Sequence, residues 1–473
     1  MDNETITLEE LIVKDKSLEE KWSLSNRPYS FNVNPIIDRQ KLYESNARSY
    51  PRVFEIAIAK AEGLYMEDTN GNVFIDCLSG AGSLALGHNH MVVVDAIEKC
   101  IADKIPLLTL DITTPIKDAF VSKLFSLLPE KMRETSKIQF CSPSGADAIE
   151  AAVKLVKTAT GRQGMFSFVG AYHGMTHGAL ALMGNKGPKK AIGNLMKDVT
   201  FLPFPYNYRC PFGIGGKEAD DVSLHYIKNI LQDTHSGVDL PAAFILEAIQ
   251  GEGGSIPASD YWLRGIRSLT EEYGIPLIID EVQSGIGRTG DVFSFESSGI
   301  TPDVIVISKA IGGSLPLSLI VYNEKLDVWS PGAHAGTFRG NQMAMATGLS
   351  VLNYITEKEV LKNVRQKSAY FFEEFKRMQF DHPFIGDVRG RGLMIGLEIV
   401  DVSVEANKIG SYPPNSSLAK QIQAECFKNG LIIETGGRND CVLRFLPPLI
   451  INHKQAQEVV NILESAIITV SKK

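Results

Sequence analysis

Three short runs constrain this chain more than anything else in it: Ala243-Phe-Ile-Leu, Pro276-Leu-Ile-Ile-Asp280 and Val304-Ile-Val-Ile-Ser308. Each is apolar without alternation, so neither face of the strand is left for water. Strands buried on both faces, separated by segments with helical spacing such as Ala146–Thr158, predict an α/β fold: a mostly parallel sheet joined by crossover helices. Upstream, Gly63–Asp76 alternates on either side of Asn70-Gly71, a dipeptide suited to the positive φ angles of a tight hairpin turn. Downstream of about residue 345 the pattern changes to a long helix, strand-like pieces at Gly386–Val400 and Leu431–Leu446 with a helix between, and a last helix from Lys454. That is the pattern of a smaller α+β unit. The expected division is an N-terminal arm and hairpin (1–90, part of the small domain), a large domain (91–345) and a C-terminal small domain (346–473). The arm holds one short amphipathic stretch near Leu8–Leu18.

Composition excludes several classes of function. Lys and Arg number 48 against 55 Asp and Glu, a net charge of -7, and a dedicated nucleic-acid binder shows a basic face instead. The chain has no apolar run of the roughly 18 residues that a membrane span needs. Its N-terminus lacks the basic and apolar stretches of a secretory signal. The six cysteines (Cys77, Cys100, Cys141, Cys210, Cys426, Cys441) form no Cys-x-x-Cys pair, so neither a disulfide framework nor a zinc site is expected. His88 and His90 have no cysteine or carboxylate at ligand spacing, and no metal is expected. The reading is a cytoplasmic enzyme with no membrane and no nucleic-acid partner.

The chemistry begins at strand ends. Asp280 closes one apolar run, and in open α/β sheets ligands bind beyond the carboxyl ends of the strands. Taken alone, Asp280 could equally cap the next helix. Lys309 follows the next run, and a lone ammonium is costly to bury there unless it snorkels to water or forms an imine with an aldehyde. Together the two residues meet the needs of pyridoxal 5'-phosphate, which requires an amine for its aldehyde carbon and an acid to keep its ring nitrogen protonated. The cofactor also needs a phosphate seat. Ser144-Gly145-Ala146 leads into a helical pattern, where free N–H groups and the helix dipole favour an anion. The same residues also suit plain helix capping.

These segments, with Tyr172-His173-Gly174, Glu247-Ala-Ile-Gln-Gly-Glu252, Asp280-Glu-Val-Gln283, Ser308-Lys309, Gly336-Thr337-Phe-Arg-Gly-Asn341 and Leu443-Arg444-Phe-Leu-Pro-Pro, resemble the class III pyridoxal-phosphate aminotransferases from about Gly63 to Pro448. The resemblance implies a fold-type I transferase, with a mostly parallel seven-stranded sheet between helices in the large domain. It implies that Lys309 bonds the cofactor aldehyde and shuttles the proton, and that Asp280 pairs with the ring nitrogen. Gln283 is expected near the ring oxygen, Tyr172 on the ring face (a core aromatic on a bare reading), and Ser144, Gly145 and Ala146 at the phosphate. His173 and Glu247 are further cofactor contacts. Thr337 is expected to reach the phosphate of a neighbouring subunit, so the partner is a second copy of the chain in a homodimer with shared sites.

The same resemblance implies that Arg444 binds the α-carboxylate of glutamate or 2-oxoglutarate and that Glu252 masks it when an ω-amine is the donor. A structural ion pair is the other reading of these two residues. Where ornithine and 4-aminobutyrate aminotransferases carry an arginine after Tyr-His-Gly, this chain has Met175. Another cation should then hold the far carboxylate, and Arg48 and Arg52 are the candidates. The chain is most similar to the diaminobutyrate–2-oxoglutarate aminotransferases. The expected reaction moves the 4-amino group between L-2,4-diaminobutyrate and 2-oxoglutarate by a ping-pong mechanism. Other ω-aminotransferases (4-aminobutyrate, ornithine, lysine or a natural-product amine), an aminomutase and a non-catalytic cofactor-binding protein are the alternatives.

Overall fold

The computed structural model describes residues 16–31 and 33–472. Most of the Leu8–Leu18 stretch lies outside them; the first described helix is Leu18–Leu24, opened by a capping box between Ser17 and Glu20.

A seven-stranded sheet forms the centre, in the order Ser136–Cys141, Ser318–Asn323, Val304–Ile307, Leu277–Asp280, Ala243–Leu246, Met165–Phe168, Val199–Leu202. Five strands, from Val304–Ile307 to Val199–Leu202, pair in parallel. Ser318–Asn323 runs against both of its neighbours. The three apolar runs are the three middle strands of the seven, and each is buried along its whole length, because helices cover both faces of a parallel sheet. The helix Gly145–Thr160 is one of these covers. It turns Ala148, Ile149, Ala152, Leu155 and Val156 inward and ends on Gly161, whose φ of +69° closes the helix in the left-handed region.

Register brings the chemistry to one edge. Asp280 stands opposite Val306 and Ile279 opposite Leu246. Glu247, Asp280 and Lys309 therefore emerge at the same carboxyl edge of the sheet.

The hairpin forms as the sequence predicts, with Tyr65–Asp68 against Val73–Asp76. Asp68 secures the turn by accepting from the N–H groups of Asn70 and Asn72 at 2.8 and 2.9 Å. Val73–Asp76 also pairs in parallel with Leu431–Ile432, which ties the hairpin to the C-terminal part of the chain. A further four-stranded sheet, Ile385–Arg391, Met394–Ile399, Val442–Phe445 and Glu434–Gly436, carries Arg444. Among the described residues no helix is long and apolar enough to cross a membrane.

Candidate active site

A cavity of about 510 Å³ opens at the carboxyl edge of the central sheet. Ser144, Gly145, Ala146, Tyr172, His173, Glu247, Glu252, Asp280, Gln283 and Lys309 all line it. Residues spread over 165 positions of sequence thus converge, because each lies at or beyond a strand end on the same sheet edge.

Asp280 is buried, and both of its oxygens are used. Oδ2 meets Nδ1 of His173 at 2.7 Å, and Oδ1 accepts from the Val282 N–H at 3.0 Å. The other ring nitrogen of His173 is buried without a partner among the described residues. Glu247 accepts from the N–H groups of Tyr172 and Gly251 at 3.0 and 2.9 Å. Burial pushes its carboxyl up to about 7, opposed by His173 and reinforced by Asp280.

Lys309 sits in the left-handed region at φ +51°, a conformation that costs energy in a side-chain-bearing residue and clusters at functional sites. Among the described residues its amine makes no hydrogen bond or ion pair. Burial lowers its pKa, with Asp280 acting in the opposite sense. An amine made less basic by burial, beside a carboxylate, is fit for taking and returning a proton.

The phosphate seat depends on small residues. The N–H groups of Gly145 and Ala146 open the helix Gly145–Thr160 and have no intrahelical acceptors, and the side chain of Ser144 is not used in capping. A Cβ on Gly145 would lie 3.0 Å from a methyl of Val282. Gly174, at φ +124°, lets the Tyr172–Gly174 loop press on this turn, since a Cβ there would lie 2.5 Å from that of Ala146. A buried amine, a buried acid braced by histidine, a tyrosine and a helix N-terminus around one cavity fit pyridoxal phosphate.

Arg444 is 1% exposed and lies behind the cavity wall. Nη1 meets Oε2 of Glu252 at 2.6 Å, and Nη2 donates to Oε1 of Gln283 at 3.0 Å. Gln283 also donates to the Ala81 carbonyl at 3.1 Å. Burial alone would lower the pKa of Arg444; Glu434 and Glu252 outweigh it and hold the guanidinium above its ordinary value.

Besides Arg444, three expected site residues do not line the cavity of their own chain. Thr337 is exposed on the short turn Thr337–Gly340. Arg48 pairs with Glu44 at 3.0 Å, and Arg52 donates to the carbonyl oxygens of Arg48 and Asn46 at 3.0 and 2.9 Å. Their own segment satisfies both arginines, and the residue it contributes to the cavity is Tyr50. Tyr50 and Glu434 are two polar cavity residues that the sequence reading missed. The Tyr50 hydroxyl donates to Oε1 of Glu434 at 3.0 Å, across 384 positions of sequence. His88 and His90 have structural work: His88 meets Asp76 at 2.9 Å, and His90 caps the helix Met91–Ala102.

The chain matches the family described as aminotransferase class-III over residues 45–467. It is 50% identical, over 92% of its length and 93% of the relative's, to a diaminobutyrate–2-oxoglutarate aminotransferase of Rhizobium meliloti. It is 47% identical, over 92% of its length and 95% of the relative's, to one of Haemophilus influenzae. Its fold matches that of taurine:2-oxoglutarate aminotransferase from Bifidobacterium kashiwanohense, solved with the cofactor and glutamate, at a TM-score of 0.83 and 26% identity over 94% of this chain and 99% of that one. The chain belongs to the class-III aminotransferases and is a pyridoxal-phosphate-dependent transaminase.

Proposed function

We propose that this aminotransferase moves the 4-amino group between L-2,4-diaminobutyrate and 2-oxoglutarate, giving L-aspartate 4-semialdehyde and L-glutamate, or the reverse. The observation that carries the reading is that Lys309 and Asp280 share one cavity, behind whose wall Arg444 is held by Glu252, an acid that lines it. The relatives named for that activity support the choice of donor. Met175, which lines the cavity where ornithine and 4-aminobutyrate enzymes are expected to carry an arginine, speaks against those donors.

Bound pyridoxal phosphate supplies an aldehyde carbon for the amino nitrogen and a ring that accepts the electron pair left by the departing proton. Gly145, Ala146 and Ser144 would hold the phosphate at the helix N-terminus, and Tyr172 would cover the ring. Asp280 would hold the proton at the ring nitrogen, with His173 fixing the carboxylate. Lys309, made less basic by burial, takes the proton from the carbon bearing the reacting nitrogen and returns it.

Two substrates of different charge use the cavity in turn, as ping-pong exchange requires. The Glu252 side chain is 46% exposed and that of Arg444 only 1%. Glu252 can therefore swing toward water while Arg444 stays. With an amine donor Glu252 neutralises Arg444; with glutamate or 2-oxoglutarate the substrate carboxylate replaces it.

We also take the enzyme to be a homodimer with shared sites, in which the exposed Thr337 serves the neighbouring cavity. The division into 1–90, 91–345 and 346–473 belongs to the same proposal, supported by the pairing of the hairpin with Leu431–Ile432. Six free cysteines, five of them buried, suit a reducing compartment, the cytoplasm. The test is kcat/KM for diaminobutyrate, ornithine, 4-aminobutyrate, lysine and putrescine, each with 2-oxoglutarate. Diaminobutyrate should lead. A clear preference for 4-aminobutyrate would overturn the donor and leave the reaction class standing.

A further inference from the structure

Arg444 faces two carboxylates. Strand register sets Glu434 directly opposite Arg444. Oε2 of Glu434 lies 2.9 Å from Nη1, the nitrogen that also meets Glu252. The two acids differ in freedom: the side chain of Glu252 is 46% exposed and that of Glu434 is 16%. Glu434 is further held by the Tyr50 hydroxyl on Oε1. When Glu252 swings out, Glu434 therefore remains.

Glu434, Glu252 and Tyr50 all line the cavity. Oε2 of Glu434 is buried and accepts no hydrogen bond among the described residues, since it lies close to Arg444 but out of line with its N–H groups. One guanidinium against two carboxylates leaves this end of the cavity with an excess negative charge. An arginine that served only glutamate would gain nothing from Glu434, which competes with the incoming carboxylate. A cross-strand charge pair with Glu434 would by itself satisfy Arg444, yet Glu252 adds a second acid on the same nitrogen. The arrangement makes sense if a second positive charge arrives with one of the substrates.

We propose that Glu434, fixed by Tyr50, is the specificity-determining residue that receives the second ammonium of the amine donor, the α-ammonium of a 2,4-diamino acid. This rests on the reading of the chain as an ω-aminotransferase that acts on such an acid. The nitrogen on C2 stands only two carbons from the reacting carbon, so a short donor presents both nitrogens inside one cavity.

The test is steady-state kinetics of the holoenzyme with L-2,4-diaminobutyrate and 4-aminobutyrate, which share a chain length and differ only by that ammonium. Glu434→Gln should lower the ratio of their kcat/KM values on the order of ten- to a hundred-fold, the usual worth of a hydrogen bond to a charged group. It should at the same time lower KM for glutamate, because Arg444 loses a competing acid. A structural role would weaken all substrates together, and an unchanged ratio overturns the proposal. Tyr50→Phe leaves every charge in place and serves if the first variant does not fold: a smaller fall in the same ratio supports the proposal and no fall overturns it. A wild-type enzyme without preference for the diamino acid sinks the donor reading itself, whereas a preference that survives in both variants removes only the role of Glu434.

Discussion

Replacing Glu281 with glutamine should change how stability depends on pH without removing a hydrogen bond. Glu281 is 1% exposed. Oε1 accepts from the Ser294 hydroxyl at 2.6 Å, and Oε2 accepts from the Ser284 hydroxyl and the Ser294 N–H, both at 3.1 Å. Burial pushes the carboxyl from 4.5 up to about 7, opposed by these three donors and reinforced by neighbouring Asp280. The folded protein therefore keeps a proton that the unfolded chain has released, so stability falls as pH rises through this window. With those two values, linkage gives a loss from this residue of about 2 kcal/mol between pH 5 and pH 7. Glutamine keeps an oxygen at the Oε2 position and turns its NH2 toward the Ser294 hydroxyl, which can rotate to accept. The variant should thus gain about 2 kcal/mol on wild type over that interval. Urea unfolding of both cofactor-free proteins at several pH values, followed by circular dichroism, measures the difference. Parallel stability profiles for wild type and Glu281→Gln would refute the reasoning, because they would mean that Glu281 binds no extra proton in the folded state.

Lys309→Ala should abolish turnover while leaving the far-ultraviolet dichroism unchanged, with the cofactor now removable by gel filtration; substantial turnover would exclude Lys309 from the chemistry. His173→Phe removes the hydrogen bond on Asp280, worth about 1.5–3 kcal/mol for a charged partner, and kcat at saturating substrate should fall on the order of ten- to a hundred-fold. Glu252→Ala should lower KM for 2-oxoglutarate and raise it for the amine donor. Movement of both in the same direction would count against the exchange of Glu252 for a substrate carboxylate.

Much of the site was legible because its residues announce themselves locally. An apolar run ending in Asp280 and another followed by Lys309 need no knowledge of the rest of the chain to be placed at strand ends. Ser144-Gly145-Ala146 is a helix start by the same local rules. The antiparallel course of Ser318–Asn323 was not legible, since a buried strand has the same composition in either direction. Arg48 and Arg52 were candidates because Met175 left the far carboxylate without a cation, but a short turn folds their guanidinium groups back onto Glu44, Asn46 and the backbone and leaves Tyr50 at the cavity.

Burial pattern and local chemistry thus determined, from sequence alone, which segments become central strands and which of them end in an acid or an amine, and the resemblance to a family implied the reaction class. Tertiary structure decided which charges meet. His173 reaches Asp280 across 107 positions, Glu252 reaches Arg444 across 192, and Tyr50 reaches Glu434 across 384. Local spacing encodes period and termini; strand register and loop convergence set contacts at such separations. The second carboxylate on Arg444, which bears most directly on the donor, arises from a cross-strand pairing that exists only once the sheet has formed.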